Sequence, residues 1–498
     1  MQYYFEDTHY KPGGPVLVLL AGETGAWNRI PFLKQGILHK LAKATNGMAV
    51  ILEHRYYGHS WPTEDLSTHN LRFLTTEQAL ADTAVFAQNV VFPGHEDEDL
   101  TSGSVPWITY GGSYAGAFAA FLRTLYPGIF WGSISSSGVT EAVYDYWQYW
   151  EMIREYGPAQ CMNTTSTLTH AIDTILLEKK ELVPQLKALF GVESLSDTKD
   201  FVNMLAYSGV GGWQGRNWDP AVSSPAFAHY CSNLTHSGLL NQSYAPKIPL
   251  AQSLLKEAGL TSSHLTTALV NWISHFTTNL ITPCLFSPFR APNTTLDTCY
   301  STSNTTFYAQ HSLHDTWRAW PYQYCTQWGY LQTGAGAPAS VLPLVSRTID
   351  TEYMSRICKY AFNITSPPDV DAINKYGGFN ISYPRLAHIA GQADPWTPAT
   401  PWAPSERQWE WRRNDTSEPF LLIEGAVHHW DENGLEDGAD ERGRMPEAVR
   451  VVQEREVEFV RAWVEDARVS GLFGGMVGKE DAWGGLRGEN DGQKVLHE

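Results

Sequence analysis

In the first third of the chain, apolar residues fall in short, nearly unbroken runs: "PVLVLL" (15–20), "GMAVILEHR" (47–55), "PWITYGG" (106–112) and "FWGSISSSG" (130–138). Runs of this length, with helical stretches between them, predict strands covered on both faces and therefore a parallel, buried sheet. Near Val139 the texture changes. From there to about Tyr383 the chain is rich in tryptophan and tyrosine and reads as helical segments joined by loops such as "GVGGWQGRNWDP". Strand-like runs return in "LAHIAGQADPW" (386–396) and "PFLLIEGAVHHWDENG" (419–434). In "PEAVRVVQEREVEFVRAWVEDA", Val449, Val452, Val460 and Trp463 recur at helical spacing, which predicts a helix with that face on the sheet and its charges in water. The glycine-rich remainder after Arg468 has no period and is expected to be a flexible tail. The expected organisation is an α/β core split in two, residues 1–138 and 384–468, around an inserted helical cap domain over 139–383, with 469–498 as the tail.

At 498 residues, 43% apolar and 13% aromatic, the chain has the composition of a globular protein. Lys and Arg number 35 against 53 Asp and Glu, and the net charge of −18 argues against nucleic acid or an anionic membrane as partner, since both reward a positive face. The acidic run "HEDEDL" (95–100) reads as a solvated loop. Six cysteines, at 161, 231, 284, 299, 325 and 358, all lie inside the insertion. None is spaced Cys-x-x-Cys, so they read as disulfides, with 15 pairings open. Eight Asn-x-Ser/Thr sequons, at Asn163, Asn233, Asn241, Asn293, Asn304, Asn363, Asn380 and Asn414, point with the cysteines toward export. The first twenty residues hold no signal-type segment, and the expectation is a mature or truncated chain whose targeting segment lies upstream of Met1. No apolar stretch has the length of a membrane-spanning helix.

The candidate chemistry centres on "YGGSYAG", where Ser113 stands between a strand and an alanine-rich helix. A nucleophile elbow needs small neighbours because its backbone is strained and its serine must project outward. Gly111, Gly112, Ala115 and Gly116 supply them, with Ala115 where Gly-x-Ser-x-Gly has its last glycine. The backbone N–H of Tyr114 would then point at a developing oxyanion. On this architecture the acid and the base follow in the order Asp, then His, on loops after the last strands. Asp394 follows "LAHIAGQ" and His428 follows "PFLLIEGAV". Each residue alone has a plainer reading, a turn aspartate before proline or a packed histidine, but three in the right order at three strand ends argue for a triad. His429 is the competitor of His428, and "HHWDE" also allows a metal patch of His428, His429, Asp431 and Glu432, which no further histidine pair supports.

"KPGGPVLVLLAGETGAW", "ILEHRYYGHS", "ITYGGSYAGAFAAFLRTLYP", "WPYQYCTQWGY", "GQADPWTP" and "EGAVHHWDENG", in that order over residues 3 to 465, resemble the serine peptidase family of lysosomal Pro-Xaa carboxypeptidase, dipeptidyl peptidase II and fungal prolyl peptidases. The resemblance implies an α/β-hydrolase fold with a mainly helical, disulfide-bearing cap inserted between nucleophile and acid, and a Ser113, Asp394, His428 triad. It implies cleavage of peptides beside proline, no cofactor, and a secreted or vacuolar/lysosomal setting, with a homodimer as a candidate association. Tyr114 and a second N–H from the "AGET" turn, at Gly22 or Glu23, are then the candidate oxyanion donors. Trp396 is a candidate wall for a proline ring, against the plainer reading of core packing, and Glu23 could hold a substrate amine or brace its turn. Gln327 stands where relatives often carry glutamate, so a substrate contact there is doubtful. An esterase or lipase using the same triad, and a hydrolase-fold binding protein without activity, are the rival readings.

Overall fold

The valine-, isoleucine- and leucine-rich runs pair with one another. The computed structural model describes residues 1–286, 293–406, 410–436 and 443–473. Nine strands form in it: β1 Tyr3–Glu6, β2 Val16–Leu20, β3 Met48–Leu52, β4 Trp107–Gly112, β5 Gly132–Ser136, β6 Val143–Asp145, β7 Gly329–Leu331, β8 Leu386–Gly391 and β9 Phe420–Ile423. Seven make one sheet in the order β1-β3-β2-β4-β5-β8-β9, parallel throughout except for β1, which runs antiparallel to β3. In β2, successive side chains alternate between the two faces: Val16, Val18 and Leu20 join one core, Leu17 and Leu19 the other. Helices Thr76–Asn89 and Tyr114–Leu125 contribute to the first core, and helices Gly36–Thr45 and Glu447–Ser470 to the second. This strand order, covered on both faces, is the α/β-hydrolase fold.

The order also locates a crevice. From β2 the chain moves outward to β3 and then returns to lay β4 on the other side of β2. The connections leaving the carboxyl ends of β2 and β4 therefore diverge, the arrangement at which open α/β sheets form their crevices. Gly22 and Ser113 follow those two strands directly.

Between β5 and β8 the chain is mainly helical, with one small parallel sheet of β6 on β7. All six cysteines lie here as three disulfides, Cys161–Cys231, Cys284–Cys299 and Cys325–Cys358, which selects one of the fifteen pairings left open by the sequence. Of the eight sequon asparagines, Asn163, Asn241, Asn293, Asn363, Asn380 and Asn414 are exposed, whereas Asn233 and Asn304 are half-buried.

Two expectations need correction. The last helix runs from Glu447 to Ser470, two residues past the point where the tail was expected to start, and the tail from 474 onward lies outside the described residues. That helix also buries more than its apolar stripe. Val449, Val452, Val460 and Trp463 are buried as expected, but so are Gln453 and Glu456. Gln453 donates its side-chain amide to the carbonyls of Asp431 (2.6 Å) and Asn433 (2.7 Å), fastening the helix beneath the "HHWDEN" loop. Glu456 is 0% exposed and neither carboxyl oxygen has a hydrogen-bond partner among the described residues. Burial, reinforced by Asp431, holds its carboxyl well above the ordinary range.

Candidate active site

Ser113 occupies the turn between β4 and the helix Tyr114–Leu125 with φ 62° and ψ −125°, a conformation that a residue with a side chain adopts only at a cost. The surroundings hold it there. Its N–H donates to the Ser136 carbonyl (2.9 Å), and its own carbonyl accepts from Gly116 (3.0 Å) and Ala117 (3.1 Å). The glycines have steric reasons: a Cβ on Gly111 would stand 2.0 Å from the Ala115 carbonyl oxygen, and one on Gly116 2.7 Å from that of Ser136. Ala115, in place of a glycine, is buried, and a Cβ added to Gly22 would stand 3.4 Å from its methyl. The Ser113 hydroxyl projects from this turn without a hydrogen bond to any described residue.

Asp394 follows β8 and is 0% exposed. Its two carboxylate oxygens lie 2.9 and 3.0 Å from Nδ1 of His428, and one also accepts the Trp396 backbone N–H at 3.0 Å. The two loops can approach because Gly391 has no side chain: a Cβ there would meet the Val427 carbonyl at 2.0 Å. Ala393 N–H further bonds the Ala426 carbonyl at 2.8 Å. With Nδ1 committed to Asp394, Nε2 of His428 is the nitrogen left over, buried and without a partner among the described residues. Burial lowers the pKa of this imidazole below its ordinary value, and the opposing pull of Asp394 does not restore it.

His429 turns elsewhere. Its backbone, at φ 34°, donates to Ser137 Oγ (2.9 Å), and its Nδ1 faces Glu432 at 2.8 Å. Glu432 in turn faces Arg29 at 3.6 Å, and its carboxyl is brought down to about 2 against the cost of burial by Arg29 and His429. Asp431 accepts from Tyr110 and from Ser136 Oγ, both at 2.6 Å, pinning the loop to the ends of β4 and β5. Of the four side chains of the "HHWDE" patch, His429 and Glu432 face each other, whereas His428 serves Asp394 and Asp431 serves Tyr110 and Ser136. The elbow and this loop are in contact, since a Cβ on Gly112 would stand 3.1 Å from the His429 ring, whose centroid is 4.5 Å from that of His428.

Tyr114 is the first residue of the helix after Ser113, where a backbone N–H has no helical acceptor. Its side chain is fixed from two directions, the hydroxyl taking Nε2 of His54 (2.9 Å) and the Gln323 amide of the insertion (3.0 Å). Gly22, at φ +70°, lies across from Ala115 in the turn after β2. Glu23 beside it is half-buried, and burial raises its carboxyl above the ordinary range although Arg29 and His429 oppose the shift. Trp396 stacks on Tyr146 (centroids 5.2 Å, planes 18° apart), meets Tyr149 and Tyr330 edge-on, and donates its indole N–H to Gln214 at 2.8 Å. Gln327 accepts from the N–H (3.0 Å) and hydroxyl (3.2 Å) of Thr76, so it serves a helix start within the fold.

No pattern in the chain reveals the part played by the loop around "GGWQGRNW". It crosses from the insertion to both loops that carry the acid and the histidine. Trp213 donates to the carbonyl of Ala393 (2.8 Å), Trp430 to that of Arg216 (2.9 Å), and Trp218 to that of Trp430 (3.0 Å).

A family model described as serine carboxypeptidase S28 matches residues 1–442. The chain belongs to this family of serine peptidases. The probable extracellular serine carboxypeptidase of Arthroderma benhamiae is 46% identical over 469 residues, 93% of this chain and 64% of that protein. The chain thus spans under two thirds of that relative's length. Serine protease vicPa of Bipolaris victoriae is 29% identical, covering 94% of this chain and 85% of its own. The human thymus-specific serine protease is 25% identical over 95% of this chain and 84% of its own. Among the described residues of this S28 member no helix is long and apolar enough to cross a membrane, and its three disulfides and an extracellular relative fit a secreted protein.

Proposed function

We propose that the chain is a peptidase that cleaves beside proline through an acyl-enzyme on Ser113. The observation that carries the reading is the Asp394–His428 pair, which occupies Nδ1 and leaves Nε2 without a partner among the described residues, on the loop whose next residue, His429, lies against Gly112 of the elbow. His428 takes the Ser113 proton as the hydroxyl attacks the peptide carbonyl, then returns it to the leaving amine; Asp394 holds the tautomer with hydrogen on Nδ1. The N–H groups of Tyr114 and Gly22 receive the oxyanion. Trp396, backed by Tyr146, offers a flat wall to a pyrrolidine ring. Residues 139–383 act as the cap over this site, and the setting is extracellular or vacuolar/lysosomal. Proline specificity rests on the motifs shared with prolyl peptidases.

Fluorophosphonate labelling followed by mass-spectrometric profiling of a peptide library tests the reading. Labelling at Ser113 and products ending in proline are expected. Hydrolysis of acyl esters with no peptide cleaved would replace it by an esterase.

The pH profile follows from the buried imidazole. His428 must be neutral to accept a proton, and its pKa is lowered from about 6.5. Activity is therefore full above that lowered value and lost as pH falls through it. The expected kcat/KM profile has an acid limb centred below pH ~6.5, and a limb centred above ~7 would show that the Asp394 charge prevails over burial.

A further inference from the structure

The segment "EHRYYGHS" leaves the carboxyl end of β3, the strand beside β2, and its first two residues are a buried acid and a buried imidazole outside the triad. Glu53 faces the turn after β2. Its carboxyl accepts the backbone N–H groups of Ala26 (2.9 Å) and His59 (3.0 Å) and the hydroxyl of Ser60 (2.6 Å). One residue earlier, the carbonyl of Leu52 accepts the N–H of Ala21 at 2.9 Å. The turn that contains Gly22 is therefore tied at both its ends, Ala21 and Ala26, to two consecutive residues at the end of β3. Gly58 leaves room for the carboxyl, since a Cβ there would stand 1.7 Å from it.

His54 serves the other loop. Its Nδ1 lies 2.8 Å from the carbonyl of Arg55, which can only accept, so Nδ1 carries the hydrogen. Burial lowers the pKa of the ring to about 4, and above that pH Nε2 is a bare acceptor. The hydroxyl of Tyr114, 2.9 Å away, must then donate to it. That hydroxyl in turn accepts the side-chain amide of Gln323 (3.0 Å), whose oxygen accepts the hydroxyl of Tyr57. All four side chains are buried, and each hydrogen bond in the row has one direction only. Trp320 and Trp328 of the insertion close on the Tyr114 ring edge-on, with centroids 5.6 and 5.1 Å away. Tyr114 cannot shift without leaving two interior groups unpaired, which holds it in one place.

Oxyanion donors act by standing in position before the charge forms, so that nothing has to reorganise as it does. Two N–H groups on separate loops need something to keep them together. We propose that Glu53 and His54 are positioning residues that keep the N–H groups of Gly22 and Tyr114 converged on the oxyanion, His54 doing so jointly with Gln323 of the insertion; the assignment rests on the acyl-enzyme reading above. β3 borders β2 but not β4, so the imidazole makes the reach to the residue after the nucleophile. Neither side chain meets the substrate, and their effect falls on the transition state.

The test measures kcat and KM on a prolyl peptide and the inhibition constant of a prolyl boronic acid, whose tetrahedral adduct on Ser113 places an oxygen where the oxyanion forms. The variants are Glu53→Gln, His54→Leu, Tyr114→Phe and the double variant of the last two. Each single variant is expected to lower kcat by about 10- to 100-fold with KM within about 3-fold, and to weaken the boronic acid by the same factor as kcat/KM. His54→Leu and Tyr114→Phe together should lose no more than either alone, because both break the same hydrogen bond. Gln323→Leu, which cuts the other bond of that hydroxyl, replaces His54→Leu if the latter does not fold. Gln327→Ala is the control: it cuts another bond between the insertion and the core, to Thr76, and should lower the unfolding midpoint with kcat near wild type. Wild-type kcat in Glu53→Gln and Tyr114→Phe, a rise in KM with kcat unchanged, or an equal fall of kcat in Gln327→Ala would overturn the positioning roles while turnover through Ser113 stands. A wild type that forms no adduct at Ser113 would overturn the acyl-enzyme reading, and these roles with it.

Discussion

Ser113→Ala is expected to lower kcat by on the order of 10⁶-fold while leaving the fold unchanged. The hydroxyl it removes has no hydrogen-bond partner among the described residues, so nothing buried is left unpaired. Serine and alanine carry the same Cβ, so the cost of holding φ at 62° is the same for both. Ser113→Gly separates the two roles of the position. It should be equally inactive but more stable, because glycine adopts positive φ freely and releases about 1 kcal/mol of strain. Turnover of a prolyl peptide and a thermal unfolding midpoint measure both. Near-normal turnover in Ser113→Ala would remove the nucleophile, and a Ser113→Gly midpoint below wild type would remove the strain.

His428→Ala should match Ser113→Ala, since a nucleophile without its base loses nearly as much as the whole triad gives. The adjacent substitution is the informative control. His429→Ala deletes the partner of Glu432 but leaves Arg29 opposite that carboxylate, and it leaves the Asp394–His428 contact in place. The expected loss is at most on the order of 10²-fold, the effect of a loosened neighbour on the geometry of the base. Steady-state kinetics on the two variants decide the matter, and the reverse ranking would move the base by one residue.

Much of this was legible in the chain because the residues involved announce themselves locally. A glycine-flanked serine at the end of an apolar run has few other uses, and the acid and histidine each follow a run that could only be a buried strand. β1 was not legible. "YYFE" is four half-buried residues at a sheet edge, held by pairing with β3 rather than by any pattern of its own. Glu456 was hidden for the opposite reason: in a helix with regular spacing of apolar residues an acid reads as solvated, and only the loop packed on it makes it interior. The choice between His428 and His429, two neighbours of one residue type, needed the geometry of Asp394. The crossing made by Trp213, Gln214, Arg216 and Trp218 joins segments some 180 to 215 residues apart, a separation over which no sequence period extends.

That crossing constrains how the enzyme can open. A lid that hinges away exposes a site whose catalytic groups stay behind on the core. Here the insertion is hydrogen-bonded to the backbone beside the acid and to the indole two residues past the histidine, so withdrawing it pulls on both catalytic loops at once. With Asp394 and His428 as the proposed acid and base, opening and competence would therefore exclude one another. A substrate wide enough to need the insertion displaced would meet a disassembled acid–base pair, while a slender chain end passing beneath it meets an intact one. In the mechanism proposed above, selection for slender substrates would thus be made by the same bonds that align the histidine, and loosening them to admit larger proteins would disarm the enzyme rather than broaden it.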